Sequence, residues 1–262
     1  AIREALGQQE CEGRKYQFRL KAVPTLLGQL LHVHFFLDRA EDGLATLGYL
    51  PEQVDALNAM LSGRPGLLVL VGPTGPAAEF HQLTLARALS TQGSLVVCLQ
   101  RRVQYREELL VQLDLGSGEG VDFAAAWRTA LDMRPNAIVI EDVRSEIDAL
   151  LQGVSAGAVV VGQVNAHSTR EALLRLLGTD IDSARFARSM LGAVELLSLR
   201  RLCPHCRQTR GAEGEAAEFF GRDAMLGVAR GCEQCGDGYL GHRTFFCVWL
   251  GDDLASWLPV AR

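Results

Sequence analysis

The sequence has 262 residues, 48% of them hydrophobic, and a formal net charge of −5. That is enough apolar material for one large core with small appendages, and the acidic balance gives no electrostatic footprint for nucleic acid or an anionic membrane surface. No apolar run approaches the ~18–20 residues of a membrane span, and the first residues lack the charged-then-apolar pattern of a signal peptide, so direct membrane insertion is not expected.

The chain starts at Ala1, not Met, and residues 2–13 read as polar and irregular, so a fragment of a longer protein is expected. Residues 16–20 and 29–37 read as strands of a separate unit. In the second, His32 and His34 alternate with Val33 and Phe35 and share a face that reads as solvated, not as a metal site. Residues 51–61 read as a helix with Pro51 at its start. Apolar runs at 67–71, 95–99, 137–140 and 158–164 read as strands, with helical patterns between them at 123–133 and 147–156. Short apolar strands between amphipathic helices indicate an α/β fold whose mostly parallel sheet is covered on both faces. From residue 169 the pattern is helical, over 171–177 and then 183–197. Residues 243–249 form a strand-like aromatic run, and 252–258 a short acidic-then-apolar helix.

The first strand of the sheet leads into Gly72, Pro73, Thr74, Gly75, Pro76, Ala77, Ala78 and Glu79, after which a helix carries Leu83, Leu85, Ala86 and Leu89. This is the strand–loop–helix setting of a phosphate-binding loop, G-x-x-x-x-G-K-[ST]. Ala77 replaces the second glycine, Ala78 the lysine and Glu79 the hydroxyl that would hold Mg²⁺. Losing the lysine forfeits a charge-assisted hydrogen bond worth about 1.5–3 kcal/mol. Pro76 removes a backbone donor from the cradle. A carboxylate in the first helical turn is itself favourable by about 0.3–1 kcal/mol, so Glu79 is expected to occupy the anion site and repel polyphosphate. An ordinary strand–turn–helix that never bound nucleotide explains the loop equally well at this point.

Cys203-Pro-His-Cys206 and Cys232-Glu-Gln-Cys235 form two C-x-x-C pairs separated by 25 residues. Each sits in a turn-forming setting, and together they supply four thiolates for a tetrahedral Zn²⁺. His205 and His242 are weaker alternative ligands. Cys11 is isolated, while Cys98 and Cys247 lie in apolar runs and read as small core residues. This usage fits a reducing cytoplasm.

These motifs resemble the C-terminal part of the type II secretion and type IV pilus assembly (GspE/PilB-type) ATPase family, from about residue 14 to the end. Val23-Pro24-Thr25 with Gly28-Gln29 is similar to the last strands of that family's PAS-like subdomain. Leu47-Gly48, Pro51-Glu52-Gln53 and Gly72-Pro73-Thr74-Gly75 match the approach to its nucleotide loop. The most specific match is Leu199-Arg200-Arg201-Leu202-Cys203-Pro204-His205-Cys206, with Gly231-Cys232, Gly238-Tyr239 and Gly241, which resembles its tetracysteine zinc arm. The resemblance implies a RecA-like P-loop NTPase fold over 43–198, a zinc arm and C-terminal extension over 199–262, and the end of a PAS-like subdomain over 1–42.

The resemblance also implies catalytic positions, and here the residues depart from it. The acidic box falls on Gln100-Arg101-Arg102-Val103-Gln104, which holds no base. The Walker B segment ends in Glu141, where a glycine is expected, and Asp142, where a glutamate is. Asp132 stands for an arginine ahead of that strand, and Asn165 for the histidine of the His box, with His167 two positions on. Losing one such element commonly costs about 10²–10³ in rate, and the lysine, hydroxyl and water-orienting acid are all replaced. The expectation is a pseudo-ATPase: Zn²⁺ as cofactor, ATP and Mg²⁺ disfavoured, Gln100, Asp142 and Asn165 as vestiges. Its partners would be secretion or pilus machinery proteins at the inner membrane, with the chain cytoplasmic or peripheral there. Relatives of this kind form hexamers, so homo- or hetero-oligomers with family ATPases are implied, with a monomer left open. The alternative is an enzyme that binds ATP in an altered mode and hydrolyses it slowly. Three further features carry less. Arg101, Arg102 and Arg106 read as a solvated edge. Residues 116–120 read as a flexible turn. Glu141 and Asp142 read as remnants, with weak Mg²⁺ binding open.

Overall fold

The computed structural model describes residues 3–37, 43–90, 93–101, 103, 105–116, 122–143, 147–178, 181–255 and 257. Arg102, Gln104, residues 117–120 and the side chain of His34, all named above, lie outside that description. The chain forms two compact units, one of Ala1–Val194 with Val248–Arg262 and one of Glu195–Cys247.

The first unit opens with β1 (Arg3–Cys11), β2 (Arg14–Thr25) and β3 (Gly28–Leu37), an antiparallel sheet in that order. The strand β1 corrects the expectation of an irregular start. Residues Arg3 to Cys11 pair with Ala22 to Arg14, and cross-strand pairing decides where local propensity is weak. After α1 (Leu44–Leu47) comes α2 (Pro51–Gly63), with Pro51 at its start and the Gln53 side chain accepting from Leu50 N–H at 3.0 Å.

The larger sheet then forms: β4 (Gly66–Val71), α3 (Pro76–Ser90), β5 (Val96–Gln100), β6 (Val111–Asp114), α4 (Phe123–Asp132), β7 (Ala137–Ile140), α5 (Ile147–Ser155), β8 (Val159–Val164), α6 (Thr169–Leu177) and α7 (Ser183–Ser189). The order β4-β8-β7-β5-β6 is parallel at every step. Every residue of β4, β7 and β8 is buried, so both faces of these strands are covered, as continuous apolar runs require. One face packs Val69, Val97, Ile138 and Val160 with Trp127, Leu150 and Leu173 from the helices. The short strand β6 was not anticipated.

A helix over 183–197 is not formed. α7 stops at Ser189, and Met190–Leu202 is strand β9, lying between β4 and β12 (Tyr239–Leu250) in the sheet order. A short apolar run fits either period. The close approach of Gly192, where a Cβ would stand 2.4 Å from the Trp249 carbonyl, suits strand against strand. The terminal helix α9 spans Gly251–Ala255, and Trp257 lies in a turn; residues 256 and 258 of the expected helix lie outside the described residues. No helix of the described residues is long and apolar enough to cross a membrane.

Within the second unit, β10 (Gln208–Gly211) and β11 (Met225–Val228) pair antiparallel and α8 (Glu215–Phe220) lies in their connection. Neither strand was expected from the sequence. Only Cys203, Ala212 and Phe246 bury their side chains among the residues of this unit.

Candidate functional site: an acidic cleft and a four-cysteine centre

At the carboxyl end of β4 the chain turns through Gly72, Pro73, Thr74 and Gly75 into α3, which begins at Pro76. Gly75 has φ 140°, a conformation closed to residues with a Cβ, and its carbonyl accepts the Glu79 N–H at 3.0 Å. The loop is tied down from below. Gln163 of β8, 3% exposed, donates its amide to the carbonyls of Gly72 at 3.4 Å and Pro73 at 3.1 Å. Its own oxygen accepts from Gln82 of α3 at 3.0 Å. Neither glutamine was singled out from the sequence; an amide inside the all-apolar 158–164 run is the signal that could have found Gln163.

Above the loop lies a cleft of ≈ 190 Å³ lined by Thr74, Gly75, Glu79, Arg101, Glu141, Asp142 and Gln163. Glu79 points one oxygen, Oε2, into a place with neither solvent nor a hydrogen-bond partner among the described residues. Burial, then the charge of Glu141, pushes its carboxyl up to about 7, against a smaller lowering by Arg19. Glu141 accepts the Arg101 backbone N–H on Oε2 at 3.0 Å, joining the ends of β5 and β7. Asp142 is 3.9 Å from the Arg101 guanidinium. So Arg101 reads less as a solvated edge than as a counterion, its backbone and side chain serving the two adjacent carboxylates. The cleft is thus lined by three carboxyl groups, Glu79, Glu141 and Asp142, with Arg101 as the cation among them, while Ala78 is buried and is not part of its lining.

Gln100 and Asn165, the other positions singled out by the resemblance, stand apart. Gln100 accepts from Gln112 of β6 at 3.0 Å and belongs to the packing of β5 on β6. Asn165 is exposed and its carbonyl accepts from the Arg175 guanidinium. The exposed His167 gives its backbone N–H to Glu171 at 2.8 Å, and that bond, first among several, holds the Glu171 carboxyl below its usual range. Neither Asn165 nor His167 lines the cleft. Behind α3, Tyr49 Oη is hydrogen-bonded to His81 Nε2 with the rings stacked 5.5 Å apart; burial lowers the imidazole to about 3, so it is neutral.

In the second unit, Cys203, Cys206, Cys232 and Cys235 place all four sulfurs within 4.8 Å of one another. The Cys206–Cys235 and Cys232–Cys235 sulfurs are both 3.6 Å apart, near the ~3.8 Å edge of a tetrahedron with metal–sulfur bonds of about 2.3 Å. The knuckles are locally built: Cys235 and Gly236 N–H groups donate to the Cys232 carbonyl at 3.1 and 2.7 Å, and Cys203 N–H to the Gly238 carbonyl at 2.9 Å. The Gln234 N–H, then the Cys235 side chain, lower the Cys232 thiol to about 7, while burial pushes its neighbour Cys235 up to about 12. This donor set fits a structural Zn²⁺. His205 and His242 are not part of the group. Cys98 is buried as expected, but Cys247 is exposed, because its alternate position on β12 faces away from buried Phe246.

Comparison with known proteins agrees with this architecture. The family model of "Type II/IV secretion system protein" matches residues 8–255. The type IV pilus assembly ATPase PilB of Pseudomonas aeruginosa is 26% identical over 238 residues, 87% of this chain and 42% of that protein. The type II secretion system protein E of Klebsiella pneumoniae is 24% identical over 248 residues, 92% and 50% of the two. The chain thus spans half or less of the length of these relatives. Among solved structures, the pilus retraction motor PilT with bound ADP superposes with a TM-score of 0.62 at 16% identity, covering 77% of this chain and 60% of that one. The ATPase DotB of Legionella pneumophila gives 0.61 at 15% identity, with 76% and 59% covered. These likenesses show a RecA-like α/β fold, and the family match over nearly the whole sequence shows the rest: the chain belongs to the type II/IV secretion system protein family, that of the GspE/PilB-type secretion and pilus assembly ATPases.

Proposed function

We propose that this chain is a non-catalytic member of its family, a structural or regulatory component at the cytoplasmic face of a secretion or pilus machine. The observation that carries this reading is Glu79. Its carboxyl lines the cleft with Glu141 and Asp142, and in this reading it stands where the family has the magnesium-binding hydroxyl, with Ala78 where the lysine would be. A phosphate entering there would meet Glu141 and Asp142, and Glu79 as well once its carboxyl ionises around pH 7, in a partly desolvated cleft where repulsion is poorly screened. The vestigial loop is Gly72, Pro73, Thr74, Gly75, Pro76, Ala77, Ala78 and Glu79. In this proposal residues 1–42 end a PAS-like subdomain, 43–198 keep the ATPase-type shape for contacts, and the four cysteines hold one Zn²⁺. The partners would be machinery proteins at the inner membrane and other family ATPases.

A second reading, a weak ATPase, has one observation in its favour: Asp142 still lines the cleft and the mostly exposed Arg101 guanidinium supplies a cation at its mouth. Calorimetric titration with ATP and Mg²⁺ separates the two. The native chain gives no binding heat, whereas Ala78→Lys combined with Glu79→Ser restores binding. Saturable ATP binding by the native chain, with hydrolysis abolished by Asp142→Ala, would establish the enzyme instead.

A further inference from the structure

The β10–β11 ladder, from Gln208 opposite Val228 to Gly211 opposite Met225, continues one step where the Ala212 N–H donates to the Ala224 carbonyl at 2.8 Å. It closes a loop that holds α8 away from any core, since no residue of that helix is buried. The helix ends in Phe219, 83% exposed, and Phe220, 61% exposed, with Met225 at 64% on the adjoining strand. The two rings touch edge to face, centroids 4.8 Å apart at 76°. Paired aromatic rings held in water on a hydrogen-bonded stalk have the character of an interface anchor: large contact area and few rotatable bonds. Around them Glu213, Glu215, Glu218 and Asp223 are exposed, and Arg222 is the single cation of residues 213–223.

We propose that the Phe219–Phe220 turn docks on a protein partner whose apolar pocket is rimmed by lysine and arginine. The charge selects among occupants. An anionic lipid surface would repel the four carboxylates, and a second copy of the same acidic turn would do the same. Short cytoplasmic loops of multispanning membrane proteins carry an excess of Lys and Arg and complement it. This names a surface for the docking role proposed above, and it uses no residue of the cleft, so it stands or falls separately from nucleotide binding.

The test uses the whole chain loaded with Zn²⁺ and two labelled amphipathic helical peptides with the same Leu/Phe face, one bearing Lys and the other Glu opposite it. The Lys peptide binds and the Glu peptide does not. Phe219→Ala with Phe220→Ala weakens binding at least ~10-fold. Glu215→Gln with Glu218→Gln weakens it a few-fold and flattens its salt dependence. Unchanged zinc content in both variants shows that the four-cysteine centre is intact. The proposal is overturned if the Lys peptide fails to bind, if the Glu peptide binds equally, or if loss of both rings leaves binding unchanged. Ring-dependent binding to phosphatidylglycerol vesicles would likewise overturn it, in favour of a lipid surface.

Discussion

Replacing Cys203 with serine is expected to lower the zinc content from about one ion per chain to none and to unfold the Glu195–Cys247 unit while the parallel-sheet core stays folded. With only three buried side chains, that unit has no hydrophobic core of its own. Its order is expected to come from β-pairing and, if the four cysteines hold Zn²⁺ as proposed, from that metal, since structural zinc contributes about 10–16 kcal/mol of apparent binding energy in small peptides. Amide hydrogen exchange reads this directly. Protection is lost across β10, β11 and both knuckles in Cys203→Ser, and equally in the native chain stripped by a chelator. Protection inside β4, β7 and β8 is unchanged. A metal-free chain with full protection in the arm would show that the four sulfurs assemble for another reason.

A pH effect near neutrality is expected at Glu79. Its carboxyl is raised from an ordinary 4.5 to about 7 in the folded protein, so the folded state binds this proton more tightly than the unfolded chain. The associated stability is fully present below about 4.5 and is lost as pH rises through about 7. The full shift corresponds to about 3.4 kcal/mol, and partial exposure with solvent screening reduces this to roughly 2 kcal/mol. Glu79→Gln removes the ionisation while keeping the shape. Denaturant titrations should therefore find the variant about 2 kcal/mol more stable than the native chain at pH 8, the gap closing toward pH 5. A gap that does not change with pH would mean that the buried oxygen is not ionised against Glu141 in the way the cleft geometry implies.

The parallel sheet was readable because its strands are short, continuously apolar and bounded by helical periods. The cysteine spacing was readable because a tetrahedral centre needs little beyond four thiolates on two turns. Strands whose existence depends on a partner were not. β1, β10 and β11 carry polar or mixed sequences and form only through pairing, and Met190–Leu202 is apolar enough to pass for a helix until its neighbours are known. At the cleft, Ala78 and Glu79 could be read in the sequence as departures from the nucleotide-loop pattern. That Glu141 would cap the Arg101 N–H, and that Arg101 would face Asp142, required the strand ends to be brought side by side. Asn165 and Gln100 were expected at catalytic positions by resemblance; in space Gln100 accepts from Gln112 and the Asn165 carbonyl from Arg175.

The amide of Gln163 has one more consequence. Because it grips the Gly72 and Pro73 carbonyls from within the sheet, the turn keeps its curvature without any guest, and the conformational entropy of ordering those residues is spent during folding. On the reading proposed above, exclusion of nucleotide would then rest on the charge lining the cleft and on missing donors, not on the shape of the turn.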